Sequence, residues 1–415
     1  MTVRDTVDSL GALSRKWLRR NFAHRQRAVS RLVRRSGFSQ KMAESMLDAL
    51  FSELTAPKLH RLLQTELRDP AALDGFVEDA RNGRLVRARG PQTILHVFSA
   101  NIPNAAVVSF VRGLLLKSRN VGKLSGRDAG MLELWLGSLR VHDRGLWERC
   151  VLVRSRNAAA EWAKRAQLVL AYGQDESLTE IRKWVPAKTR FIGYGHRVSI
   201  ALVLREALRG NNAAPLARRT AHDVWMADQR GCLSPVIVFV QKGGGVHAGR
   251  FAELLADGLA RLEKSERSRP RRTQRHWVSL RRFQDRMKLT ALQARNVRTW
   301  QGEHGLWMVG YDEDPANGPG PSAGFFGTGS QLIRVRGFRR LRDLETTLQS
   351  MSASLQAASL ECASAQRKKI AEWLGSFGVN RICRAGKLQR PPISWHQDGR
   401  LTLADWLTWT GLEAR

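Results

Sequence analysis

Apolar residues recur every three to four positions in 7–20, 24–35, 40–54 and 57–67, with few β-branched runs between them. That spacing predicts four helices and an N-terminal helical region over residues 1–88. At 93–98 the period shortens to that of a buried strand, and the pattern then alternates. A helix is expected at 103–116 with Pro103 in its first turn, then strand 120–124, helix 129–136, strand 150–154, helix 158–166, strand 168–172, helix 177–184 and strand 189–194. Strands and helices taking turns in this way are the mark of a parallel sheet with helical crossovers, which binds ligands at the carboxyl ends of its strands. A second α/β block follows, with helical spacing at 218–227, strand 236–241, helix 250–263 and strands near 307–310 and 332–335. The polar, basic stretch 264–275 and the Gly-, Pro-, Asp- and Ser-rich stretch 311–330 read as surface loops. Helical spacing returns at 341–374, and 386–406 reads as a tail mixing proline, aromatic and polar residues. There is no internal repeat.

Composition supports a folded chain: 43% of the 415 residues are hydrophobic, with 13 Trp and 14 Phe, enough for two or three cores. Cys150, Cys232, Cys362 and Cys383 are widely scattered, with no CxxC pair and no Cys/His spacing of a metal site, so neither a disulfide framework nor a bound metal is expected. A reducing cytoplasm fits that usage. The segment 1–10 lacks an apolar signal core and the apolar run 105–116 is broken by Arg112 and Gly113, so neither export nor a membrane span is expected. The formal net charge of +32 raises nucleic acid as a partner. The basic residues at 15–35, 267–282 and 334–342 alternate with apolar ones, however, as the solvated sides of helices and strands do, and nucleic-acid binding is not expected from them. A positive surface favours phosphate-bearing ligands such as coenzyme A and a phosphorylated dinucleotide, or an acidic carrier protein.

Three segments carry candidate chemistry. The run 228–235, Asp-Gln-Arg-Gly-Cys-Leu-Ser-Pro, places Cys232 between a helix-like segment and the strand that starts at Val236, with Gly231 letting the backbone turn sharply. A thiol so placed can attack a carbonyl; the plain alternative is a small buried thiol capping a core strand. Asn101, in Ser99-Ala-Asn-Ile-Pro103 just after the first strand, can turn its amide to a carbonyl oxygen that gains negative charge, or can serve as an ordinary helix start. Lys123, in Val121-Gly-Lys-Leu-Ser125-Gly126-Arg127 at the end of the next strand, can hold a ribose hydroxyl or a phosphate, or stand as a solvated strand end. The Gly243-Gly244-Gly245 run lacks a GxGxxG spacing and reads as a flexible turn, and His196 and His396 read as structural or surface histidines.

Taken together these elements resemble the LuxC-type acyl-CoA reductases, the fatty-acid reductase branch of the aldehyde dehydrogenase superfamily. Asn101 and Pro103 match the family's Asn-x-Pro element. Lys123 lies where the superfamily has its cofactor-binding lysine, and Asp228-Gln229-x-x-Cys232 with Ser234-Pro235 is similar to the nucleophile element. The run Phe191-Ile-Gly193-Tyr-Gly195-His-Arg-Val-Ser199 is similar to the glycine-containing turn beside the cofactor. Arg381-Ile, Gly386-Lys-Leu-Gln389, Pro392, Trp395-His396, Asp398-Gly399-Arg400 and Trp406 resemble the C-terminal signature. The resemblance covers about residue 90 to the end.

The resemblance implies an aldehyde dehydrogenase-like α/β fold: a helical region 1–88, a Rossmann-like dinucleotide-binding domain 89–207, a catalytic α/β domain 208–345 carrying the nucleophile, and a C-terminal helical segment and tail 346–415. It implies NADPH-dependent reduction of an acyl thioester to an aldehyde in a cleft between the two α/β domains. Cys232 would form the acyl-enzyme, with Asn101 and the Cys232 amide meeting the oxyanion; Lys123, Ser125, Arg127, Gly193 and Gly195 would hold the dinucleotide. The acyl donor would be acyl-CoA or an acidic acyl carrier protein, with an acyl-activating synthetase or transferase as a partner and room for an oligomer. Two departures from the wider superfamily sharpen this. No Glu-Leu-Gly-Gly segment lies between Ser199 and Cys232, so no carboxylate is set to activate water against the thioester. Gly126 and Arg127 follow Ser125 where the superfamily often carries a Glu facing the ribose 2'-hydroxyl, and an arginine there favours NADPH over NADH. Two alternatives remain: the same residues running an acylating aldehyde dehydrogenase reaction toward the thioester, and a basic binding protein that has kept the fold without the activity.

Overall fold

A computed structural model describes the chain except residues 81–82, 100–103, 127–128, 267–273, 294–296, 304, 314–330 and 414–415, and four side chains of one helix at 275, 276, 291 and 293. Two compact units divide it: residues 1–36, 43–196 and 392–415 form the first, residues 37–42 and 197–391 the second.

The first unit opens with helices α1 (Val3–Leu18), α2 (Ala23–Ser36), α3 (Gln40–Glu53), whose first residues belong to the second unit, and α4 (Ala56–Leu67). Thr2 caps α1 in a reciprocal box with Asp5, which satisfies amide donors that a helix start leaves open. Trp17 stacks on Phe51 with ring centroids 4.6 Å apart and donates to Ser138 Oγ at 2.9 Å. Residues 1–88 are not wholly helical, as their spacing predicts. Strands β1 (Val77–Asp79) and β2 (Arg84–Arg89) form an antiparallel sheet with the last strand of the chain, β15 (Thr408–Leu412), in the order β1-β2-β15. The partner of β2 lies more than three hundred residues away, and a local window cannot show such a pairing.

The unit's main sheet is fully parallel: β3 (Thr93–Val97), β4 (Arg119–Lys123), β5 (Cys150–Val153), β6 (Leu168–Tyr172) and β7 (Arg190–Tyr194), in the order β5-β4-β3-β6-β7. The crossovers are α5 (Asn104–Leu115), α6 (Met131–His142) with the single turn α7 (Arg144–Trp147), α8 (Arg156–Arg165) and α9 (Asp175–Arg182). The chain runs outward from β3 to β5, returns to β6 on the other side of β3, and so creates a topological switch point between β3 and β6. Leu95, Val97, Val121, Val169 and Ala171 pack one face against Ala163 of α8. A polar chain crosses the other side of the sheet. The imidazole of His96, fully buried, lies 2.8 Å from Ser109 Oγ and 2.9 Å from Asn120 Oδ1, and burial pushes its pKa down to about 3, so it is neutral. Because Asn120 Oδ1 can only accept, Nε2 carries the proton and Nδ1 accepts from the serine hydroxyl. Gly113 of α5 is required here: a Cβ would stand 1.8 Å from Asn120 Oδ1.

The second unit holds a seven-stranded sheet ordered β10-β11-β12-β9-β8-β13-β14, parallel except for the β10-β11 edge pair. Its strands are β8 (Val198–Val203), β9 (Pro235–Gln241), β10 (Arg298–Gln301), β11 (Met308–Asp312), β12 (Leu332–Phe338), β13 (Leu355–Glu361) and β14 (Arg381–Cys383). Helices α10 (Ala213–Trp225), α11 (Ala248–Glu266), α12 (Gln274–Gln293), α13 (Glu345–Met351) and α14 (Ser364–Ser376) connect and cover them. Strand β8 starts at the end of the expected glycine turn and was not anticipated, and the helical spacing at 341–374 contains β13. Both strands are buried along their whole length, as parallel strands covered on both faces are, and β13 (LQAASLE) has no β-branched residue to betray it. In the basic stretch 264–275, where a loop was expected, α11 runs to Glu266 and α12 starts at Gln274, and 267–273 lie outside the described residues. Strand β11 extends to Asp312 where a loop was expected, and most of that loop, 314–330, lies outside the described residues.

The C-terminal residues return to the first unit through one buried carboxylate. Glu66 of α4 accepts from Thr402 N at 3.0 Å, Thr402 Oγ1 at 2.7 Å and Ala404 N at 3.1 Å, and also from Leu403 N. Replacing it strands these donors in the interior. Glu66→Ala is expected to lower the free energy of unfolding by about 3 kcal/mol in chemical denaturation; an unchanged midpoint would contradict this role.

Candidate active site

In the second unit, α10 ends at Trp225 and the chain enters the thiol loop with three successive non-glycine residues in the left-handed region: Ala227 (φ 52°), Asp228 (φ 57°) and Gln229 (φ 53°). Such residues cost about 1–2 kcal/mol each and persist only where their surroundings hold them. The buried Gln229 side chain does so. Its Nε2 donates to Pro235 O at 3.0 Å and Leu332 O at 2.9 Å, while its Oε1 accepts from Leu332 N at 2.8 Å. It ties the loop to the amino ends of β9 and β12. Asp228 pairs with Arg230 at 3.0 Å, and the Arg230 guanidinium lies 5.1 Å from the centre of the Phe38 ring.

Cys232 is half-buried at the end of this loop, ahead of the first residue of β9. Ser199 of β8 donates its hydroxyl to the Cys232 carbonyl at 2.7 Å, and Ser234 N donates to Gly231 O at 3.0 Å. The other three thiols differ in setting. Burial pushes the Cys150 pKa up to about 12 and that of Cys383 to about 11, and raises that of Cys362, so all three stay protonated at neutral pH.

A second layer holds the loop from behind. Gln389 Nε2 donates to Ser234 Oγ at 2.7 Å and to the Asp223 carbonyl at 3.3 Å. The Asp223 carboxylate, fully buried on α10, accepts from Gly386 N at 2.6 Å and Leu388 N at 3.1 Å. Burial nevertheless pushes its pKa up to about 7, against the pull of those amides. Arg381 in turn grips the carbonyls of Leu388 and Lys387, each at 2.7 Å. The segment Gly386-Lys-Leu-Gln389, noted in the sequence only for its resemblance, is therefore a brace on α10 and the thiol loop. Position in the sequence gave no hint of that contact.

In the first unit a cavity of about 340 Å³ opens at the carboxyl ends of β3 and β4. Val97, Lys123, Arg156 of α8, Glu176 and Glu180 of α9, and Trp184 are among its walls. Arg156 and Glu180 are 3.7 Å apart, and Lys183 pairs with Glu180, whose pKa it lowers. The buried Trp184 Nε1 has no hydrogen-bond partner. Size, a half-buried lysine at a strand end and an orphaned donor in the wall suit the ribose and adenine end of a dinucleotide. Reading the sequence missed Arg156, although it opens the helix that follows a strand's carboxyl end, where open sheets place their ligand contacts.

Of the residues expected to hold the dinucleotide, Lys123 lines this cavity, and Ser125 lies two residues beyond β4. Gly193 and Gly195 support α9, one wall of the cavity. A Cβ on Gly193 would meet Leu178 at 3.1 Å, and one on Gly195 would stand 2.4 Å from Asp175 Oδ1, which also accepts from His196 N at 3.2 Å. Asn101 and Arg127 lie outside the described residues. On the other face of the sheet from the cavity, at the ends of β6 and β7, Tyr172 stacks on Tyr194 at 4.7 Å and on Phe98 at 5.6 Å. Arg112, buried in α5, reaches from the same region to the Ile393 carbonyl at 3.3 Å, joining the C-terminal residues to it. Among the described residues no cluster of His, Cys, Asp and Glu could hold a metal ion, and no helix is long and apolar enough to cross a membrane.

Comparison with known proteins bears on the family and the fold. A family model described as acyl-CoA reductase (LuxC) matches residues 1–409. A long-chain acyl-protein thioester reductase 2 of Photobacterium leiognathi is 22% identical over 242 residues, covering 56% of this chain and 49% of the relative. A long-chain acyl-protein thioester reductase of Photorhabdus luminescens is 21% identical over 267 residues, covering 62% and 54%. The chain thus spans about half the length of the relatives it matches. Among solved structures, an NAD-dependent benzaldehyde dehydrogenase from Corynebacterium glutamicum superposes with a TM-score of 0.68 at 14% identity, covering 100% of this chain and 86% of that one. A bifunctional proline utilization A protein gives 0.72 at 15% identity, covering 99% and 42%. The fold is that of the aldehyde dehydrogenases, and the chain belongs to the LuxC acyl-CoA reductase family.

Proposed function

We propose that this protein reduces an acyl thioester to an aldehyde through an acyl-enzyme on Cys232, with NADPH as the reductant. The observation that carries the reading is the thiol loop: a half-buried sulfur at a strand's amino end, on strained backbone clamped by Gln229 and braced by Gln389. Strained backbone held in place by two amide side chains around one cysteine suits a nucleophile better than a core residue.

Cys232 as thiolate would attack the thioester carbonyl, with its own backbone N–H meeting the oxyanion; Asn101, outside the described residues, is the sequence's candidate for a second donor. The carrier thiol leaves as the tetrahedral adduct collapses to a new thioester on Cys232. Gly193 stands at the end of β7 with Gly195 beyond it, and no Glu-Leu-Gly-Gly segment offers a carboxylate to activate water, so the acyl-enzyme persists until it is reduced. The chemistry a nicotinamide would supply when bound is hydride; Cys232 would hold the acyl group while it is reduced and then leave as the thiol with release of aldehyde. Lys123 and Ser125 would hold the dinucleotide at the end of β4, and Arg127, on the sequence alone, is the candidate partner of a 2'-phosphate. The relatives are named for long-chain acyl-protein thioesters, which favours an acidic carrier protein or coenzyme A as donor and an acyl-activating synthetase or transferase as the supplier. Four free thiols fit a reducing cytoplasm.

Cys232→Ala is expected to reduce thioester-dependent NADPH oxidation by at least about a thousandfold while leaving dinucleotide affinity unchanged; full activity in that variant would refute the mechanism. Arg127→Ala is expected to raise KM for NADPH roughly tenfold and leave KM for NADH in place. Equal effects on both cofactors would remove Arg127 from the 2'-phosphate.

A further inference from the structure

Helix α12 has two apolar faces, and only one of them is covered. Leu280, Phe283 and Met287 pack inward with Met308 of β11 and Leu332 of β12. On a helix of 3.6 residues per turn, Val278, Asp285, Leu289 and Leu292 fall on the opposite side in a band about 60° wide. Leu289 is 62% exposed and Leu292 83% exposed, against at most 52% for the other described leucines, and Val278 and Trp277 are exposed to 43% and 48%. Arg282 flanks the band on one side, Arg281 and Lys288 on the other, all exposed, and Asp285 is the one acidic residue among them.

We propose that the outer face of α12 docks on an anionic lipid surface. A crest of leucine and valine with arginine and lysine on its flanks matches the interfacial zone of a bilayer, where aliphatic side chains sink below the headgroups and the cations meet lipid phosphates. The overall charge of +32 draws the chain to such a surface, and the apolar band gives this helix a reason to be the part that lands. Its inner face touches Leu332, the residue whose backbone Gln229 clamps, so the docked helix borders the strand ends that hold the thiol loop. Only the use of that proximity, release of a long-chain product into lipid, rests on the proposed reaction; the docking itself does not.

Flotation with vesicles tests it, using the full chain without substrate or cofactor. Wild type is expected to float with phosphatidylcholine vesicles containing phosphatidylglycerol and not with phosphatidylcholine alone. L289S/L292S, which leaves every charge in place, is expected to lower the partition coefficient at least about tenfold, and R281A/R282A by a similar factor. L292S alone is the milder variant should the double one unfold, and thermal unfolding of each variant is expected to match wild type. Equal flotation of wild type and L289S/L292S would reduce the effect to diffuse charge and overturn the proposal, as would no flotation of wild type. Loss in L289S/L292S of binding to an acidic carrier protein, with vesicle binding intact, would overturn it in favour of a protein partner. NADPH oxidation by wild type in lipid-free solution is measured separately, so failure of docking and failure of the reaction remain distinguishable.

Discussion

The side-chain amide of Gln229 decides whether the thiol loop exists. Three left-handed residues in a row cost about 3–6 kcal/mol together. The three hydrogen bonds of Gln229 offset this less by their own net value, about 1 kcal/mol each, than by what their loss would leave. Without the amide, Leu332 N–H and C=O and the Pro235 C=O would stand unpaired in the interior. The loop is therefore held by a buried satisfaction problem, with one solution that sets Cys232 at the mouth of β9. Gln389 and Asp223 extend the same logic outward, so that a segment more than 150 residues further along the chain supports the thiol.

Each unit handles its buried polar groups in the same manner. In the first, neutral His96 links Ser109 to Asn120 through the sheet core, and Ser109 Oγ lies 3.1 Å from the Tyr172 hydroxyl beside the aromatic stack. The network fixes α5 against β3 and β4, and so fixes the strand ends that shape the cavity at Lys123. In the second, Asp312, buried on β11, pairs with both Arg334 and Arg336 of β12. These groups contribute orientation more than net stability, because charges taken from water regain little beyond their desolvation.

The parallel architecture and the elements bearing Lys123 and Cys232 were legible in the sequence, because alternating strand and helix periods over 93–194 leave few topologies and because the resemblance rested on several motifs at once. What stayed hidden was non-local or ambiguous. β15 finds β2 across the whole chain, β13 has a composition that a helix shares, and β8 sits directly behind a glycine turn. The cavity walls at Arg156 and Trp184 come from the start of α8 and the turn after α9, whose side chains carry no motif. Gly195 was legible as a turn, but its reason, close approach to Asp175, is a contact that only coordinates reveal.

The account's central claim is that one sulfur carries the acyl group. Intact-mass and peptide mass spectrometry of the protein mixed with a panel of acyl thioesters, without nicotinamide, measures this directly. The account predicts a single acyl adduct on the peptide containing Cys232, discharged when NADPH is added. No adduct with any thioester, or an adduct confined to Cys150, Cys362 or Cys383, would contradict it.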